Sequence, residues 1–120
     1  TLLTNAVPAR EARPAPFEQT VVSDAGFAQV IVDPASSGPT TIHVTITRID
    51  GTIPTLDSLT VQLSLPSRKL GPIDVPMEPL TPNHYVNDAA RIPFGGDWKL
   101  VVSGRVGFDE LSFEARVPVS

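Results

Sequence analysis

Residues 41–47 read Thr-Ile-His-Val-Thr-Ile-Thr, a pattern that indicates an all-β fold. Its apolar side chains, Ile42, Val44 and Ile46, alternate with polar ones, of which His43 is one. Because successive side chains of a strand point to opposite faces of a sheet, the alternation predicts a β-strand with one buried face and one solvated face.

The same alternation recurs along the chain, and turn-forming sequences such as Asp50-Gly51 and Gly95-Gly96-Asp97 separate the alternating runs. Seven to eight short strands with a turn every ~8–12 residues predict an all-β, immunoglobulin-like two-sheet β-sandwich. An open barrel is the alternative architecture. The predicted strands cover residues 18–22, 27–33, 40–49, 58–65, 73–78, 84–89, 97–106 and 110–119.

One face of each predicted strand supplies the hydrophobic core. Hydrophobic residues make up 41% of the 120 residues, which suffices for one domain with a single core. Full burial of each large apolar side chain contributes roughly 1.5–3 kcal/mol to stability. The predicted core consists of Ile42, Val44, Ile46, Leu59, Val61, Leu63, Trp98, Leu100, Val102, Phe113 and Val117.

Composition excludes several functional classes. The sequence contains no cysteine, which rules out a disulfide scaffold, a thiolate metal site and a cysteine nucleophile. Thirteen acidic residues against nine basic ones give a net charge of -4, so nucleic acid is not an expected partner. The carboxylates are scattered, and no G-x-S-x-G, G-x-x-x-x-G-K or G-x-G-x-x-G motif occurs. We therefore expect no enzymatic activity and no required cofactor.

The start of the sequence differs from the rest. Residues 7–16 read VPAREARPAP, and proline both fixes φ and removes a backbone donor. Residues 1–16 are therefore predicted to form an extended, Pro-rich stalk, and residues 17–120 the β-sandwich domain. A frayed terminus, or residues carried over from a cloning boundary, is the alternative. The sequence contains no apolar run long enough to span a membrane, so any span of the natural protein is expected outside these residues.

Histidine and methionine are the candidate metal ligands. His43, His84 and Met77 could bind copper, because Cu(I) favours thioether and imidazole ligands and Cu(II) takes imidazole with carboxylate. The two histidines are on different predicted strands, and nothing in the sequence places them near each other. The simplest interpretation is two solvated histidines and a buried methionine.

Four segments of the chain together form a recognisable pattern. They are N-A-V-P-A-R at Asn5–Arg10, G-P-x-x-I-x-V-x-I at Gly38–Ile46, L-G-P-I-D-V-P-M-E-P-L at Leu70–Leu80, and His84-Tyr85 followed by I-P-F-G-G-D-W-K-L-V-V at Ile92–Val102. This pattern resembles the C-terminal soluble domain of bacterial CopD-type copper transport proteins. It is also similar to the broader YtkA/FixH-like group of small β-sandwich domains.

The resemblance implies a location and a process. It implies a non-catalytic accessory domain on the extracytoplasmic side, periplasmic or cell-surface, of a polytopic membrane protein involved in copper transport or resistance. Its expected partners are the transmembrane part of the same polypeptide and a periplasmic or cell-surface protein. The family's Met-rich and His-rich runs are absent here, so the resemblance does not assign a copper site. A copper-binding module, or an interaction or spacer domain unrelated to copper, are the alternatives.

Overall fold

The computed structural model describes residues 15–120, so all of the predicted stalk except Ala15 and Pro16 lies outside the described residues. The described chain folds into nine strands with one 3-10 turn at Pro66–Arg68. Between residues 15 and 120, no helix is long and apolar enough to cross a membrane. The strands are β1 (Phe17–Ser23), β2 (Gly26–Asp33), β3 (Gly38–Arg48), β4 (Ser58–Leu65), β5 (Leu70–Val75), β6 (Glu78–Thr81), β7 (His84–Ile92), β8 (Gly96–Val106) and β9 (Asp109–Val119).

The strands form two antiparallel sheets that pack face to face. The five-stranded sheet has the order β1-β2-β3-β7-β6, and the four-stranded sheet has the order β5-β4-β8-β9. This arrangement confirms the predicted all-β, two-sheet sandwich. The inner faces of both sheets supply one continuous cluster of buried side chains, and Trp98 on β8 is completely buried in it.

The predicted strand at residues 73–78 is wrong, because the chain changes sheets within it. β5 belongs to the four-stranded sheet and β6 to the five-stranded sheet, with Pro76 and Met77 between them. Proline has no backbone N–H to donate to a ladder, so Pro76 interrupts strand pairing. Pro79 is tolerated within β6 because β6 is an edge strand. This division alone raises the count from the eight predicted strands to nine.

Every residue of the predicted core is buried. The sequence-based list omitted β2, whose inward side chains Ala28, Val30 and Val32 are also buried. Ile31 obscured this strand's alternation, because it is an apolar residue on the outer face. It stands opposite His43 in the pairing of β2 with β3, so the outer face of this sheet is not uniformly polar.

Candidate functional site

The pairing of β3 with β7 brings the two histidines together. Thr45 stands opposite His84 and His43 opposite Val86, so the histidines are diagonal neighbours on the outer face of the five-stranded sheet. His43 Nδ1 lies 3.0 Å from His84 Nε2. The ring centroids are 5.2 Å apart, and the ring planes are tilted by 42°. Nothing in the sequence placed the two histidines near each other, and the structure corrects that view, because strands distant in sequence are adjacent in the sheet.

Alternation decides which face carries each histidine. In β3 the even-numbered Ile46 is buried in the core, so the odd-numbered His43 faces outward. In β7 the odd-numbered Tyr85 is buried, so the even-numbered His84 faces outward.

The start of β7 is fixed by Asn83, which immediately precedes it. Asn83 Nδ2 donates to the Ile46 carbonyl at 2.9 Å. The Ile46 N–H donates to the Asn83 carbonyl at 3.0 Å. These two hydrogen bonds fix the position of His84 along β3.

The histidine pair lies in a shallow, open depression of about 510 Å³ on this outer face. Both imidazoles are partly buried. β2 lines one side of the depression and includes one carboxylate, Asp33, which is exposed. The lining residues are Gln29, Ile31, Asp33, Thr41, His43, Thr45 and His84.

The electrostatics of the depression favour the uncharged form of His84. Burial, followed by the charge on His43, lowers the pKa of His84 below its usual value of 6.5. A neutral imidazole has one nitrogen that donates and one that accepts, so one ring donates its N–H to the other in the 3.0 Å contact. A neutral imidazole is also the form that binds metal ions. The pair thus offers two candidate ligand nitrogens within an open depression.

Met77 lies elsewhere. It packs against the core at the crossover between β5 and β6 and lines a second depression beside Leu59, Val61 and Val75. The depression that contains the histidines does not include it. Among residues 15–120, no three His, Asp or Glu side chains gather closely enough to enclose a metal ion. The predicted ligand set therefore divides into an imidazole pair and a separate methionine.

Two of the sequence segments quoted above meet at this pair. Gly38–Ile46 forms most of β3, and His84 begins β7. No family model, curated protein or solved structure matches the chain. The resemblance described above therefore depends on short sequence patterns alone. His84 belongs to the H-Y pair of those patterns, whereas His43 occupies one of their variable positions.

Proposed function

We propose that this chain is a non-catalytic, extracytoplasmic accessory domain of a bacterial membrane protein involved in copper transport or resistance. The resemblance of four sequence segments to CopD-type proteins supports the location and the process. The observation that carries the connection to copper is the 3.0 Å contact between His43 Nδ1 and His84 Nε2. Imidazole nitrogens are good copper ligands.

The way in which the chain enters the sandwich suits an anchored domain. Ala35 N–H donates to the Ala15 carbonyl at 3.2 Å, and Ser120 N–H donates to the Ala35 carbonyl at 3.1 Å. Ala15, the first described residue, thus lies at the same end of the sandwich as Ser120. β9 runs from Asp109 at one end of the sandwich to Val119 at the other, so the β8–β9 turn lies at the end away from Ala15. A membrane anchor upstream would leave that end and the outer faces of both sheets accessible.

The upstream reading frame tests this proposal most directly. We expect several apolar membrane spans to precede Thr1 in the full-length protein. We also expect cells whose protein lacks residues 17–120 to differ from wild type in copper accumulation or copper tolerance, with equal amounts of protein in the membrane. Absence of upstream spans would refute the proposal and favour a cell-surface interaction or spacer domain instead.

A second candidate function is a copper-binding module, in which this domain itself binds the metal. The contact between the two imidazoles favours it, because both ligand atoms are already on one surface. Calorimetric titration with Cu(II) and Cu(I) tests it. Stoichiometric binding that is lost in the His43→Ala/His84→Ala double variant would support this candidate, and unchanged binding in that variant would refute it.

A further inference from the structure

We infer that His43 Nδ1 and His84 Nε2 form a two-imidazole site for a divalent transition-metal cation, with Cu(II) bound most tightly and Met77 taking no part. This inference rests on the copper-binding candidate above and deepens it, because it names the ligand atoms and the oxidation state. It does not depend on whether a membrane anchor is present.

The separation of the two nitrogens fits one shared cation. Imidazole nitrogens bind a first-row divalent cation at about 2.0–2.1 Å. Nitrogens 3.0 Å apart can both bind such an ion at an N–metal–N angle of about 95°, whereas a tetrahedral angle would need a separation of about 3.3–3.4 Å. An angle near 90° is the one that tetragonal Cu(II) prefers. Binding therefore requires the rings to rotate but not the strands to move.

The hydrogen bond between the rings can be exchanged for metal coordination without charging either ring. The ring that donates its N–H in the free protein must carry that proton on its other nitrogen when the metal is bound. Both rings then present a lone pair toward the same point. Asn83 and the alternation of β3 and β7 keep the two rings adjacent in both states.

The surroundings of the pair favour a hard or borderline divalent cation over Cu(I). Soft thioether sulfur selects Cu(I), and Met77 lines a different depression. The polar side chains beside the histidines carry oxygen atoms instead, namely the hydroxyls of Thr41 and Thr45. Because the depression is open, water can fill the remaining coordination positions. The affinity order should then follow Co(II) < Ni(II) < Cu(II) > Zn(II).

The chain is well suited to a test of this site, because its only two histidines are these two. The purified domain is titrated with Cu(II), Ni(II), Zn(II) and Cu(I), and the Cu(II) complex is studied by pulsed electron paramagnetic resonance. We expect one Cu(II) per chain, coupling to two imidazole nitrogens, and weaker binding of the other ions. Since loss of an outer-shell partner alone weakens metal sites about 10–100-fold, His43→Gln or His84→Gln should each weaken Cu(II) binding at least about tenfold.

Control variants distinguish the outcomes. Met77→Leu should leave the Cu(II) affinity unchanged, and thermal unfolding of each Gln variant shows whether the fold is retained. Coupling to one nitrogen only, retained affinity in the double Gln variant, or no saturable Cu(II) binding would overturn the inference. Cu(I) binding that is tighter than Cu(II) binding and that depends on Met77 would also overturn it, while leaving the copper-binding candidate intact.

Discussion

Truncation of Trp98 to alanine tests the central feature of the fold, the single interior shared by both sheets. Trp98 is 0% exposed, and its Nε1–H donates to the Phe94 carbonyl at 2.8 Å. Removal of a buried large aromatic side chain costs about 3–5 kcal/mol. The lost hydrogen bond adds about 1 kcal/mol. The expected loss of about 4–6 kcal/mol is a large part of the 5–15 kcal/mol that stabilises an ordinary domain.

The assay must not depend on the residue that is removed. Trp98 is the only tryptophan, so its fluorescence reports unfolding of the wild type but not of the variant. Circular dichroism during chemical and thermal denaturation serves for both proteins. At roughly 4 °C per kcal/mol for a domain of about 100 residues, the midpoint should fall by about 15–25 °C.

A matched control separates burial from aromatic character. Phe108, in the β8–β9 turn, is 102% exposed, so Phe108→Ala should change the midpoint little. Trp98→Phe keeps a ring in the interior and should cost less than Trp98→Ala. An unchanged midpoint in Trp98→Ala, or equal effects of Trp98→Ala and Phe108→Ala, would refute the assignment of Trp98 to the core.

Three further predictions concern the sheet that carries the histidines. The pKa of His84 is lowered in the folded state, so the unfolded state binds this proton more tightly. The free energy of unfolding should therefore fall as the pH decreases below 6.5. Denaturant titrations should find this pH dependence diminished in His84→Gln. Gly26→Ala should destabilise the domain markedly, since the new Cβ would lie 2.2 Å from the Thr47 carbonyl oxygen at a φ of +149°, and wild-type stability would contradict this. Asn83→Ala should cost about 1 kcal/mol through loss of its bond to β3 and should broaden the imidazole resonances in nuclear magnetic resonance spectra; unchanged resonances would show that Asn83 does not position His84.

Alternation along single strands was enough to predict the sandwich and its core. Each run places its own apolar residues on one face, and this local property does not depend on which strands become neighbours. It also placed His43 correctly on the outer face of β3. The division of the predicted strand at Pro76 was harder to foresee, because proline stops a ladder without indicating that the chain crosses to the other sheet.

The histidine contact could not be predicted in the same way. It depends on the register between β3 and β7, which are separated by three strands in the sequence. That register also contains an irregularity between Thr40 and Ile42, so a uniform pairing extended from one end would have misplaced the other. The Pro82-Asn83 turn was visible in the sequence. The sequence did not reveal the hydrogen bonds between Asn83 and Ile46, which fix the position of His84 along β3.

The interior and the outer face of the five-stranded sheet can be altered independently. Trp98 and its neighbours determine whether the sandwich forms, whereas His43 and His84 lie on the solvated side of strands whose inward residues hold them in place. A cross-strand pair contributes only about 0.2–1 kcal/mol, and threonine already fills equivalent positions at Thr41 and Thr45. Stability therefore does not require two imidazoles in contact. A loss of metal binding in a well-folded histidine variant would consequently report on the ligands themselves.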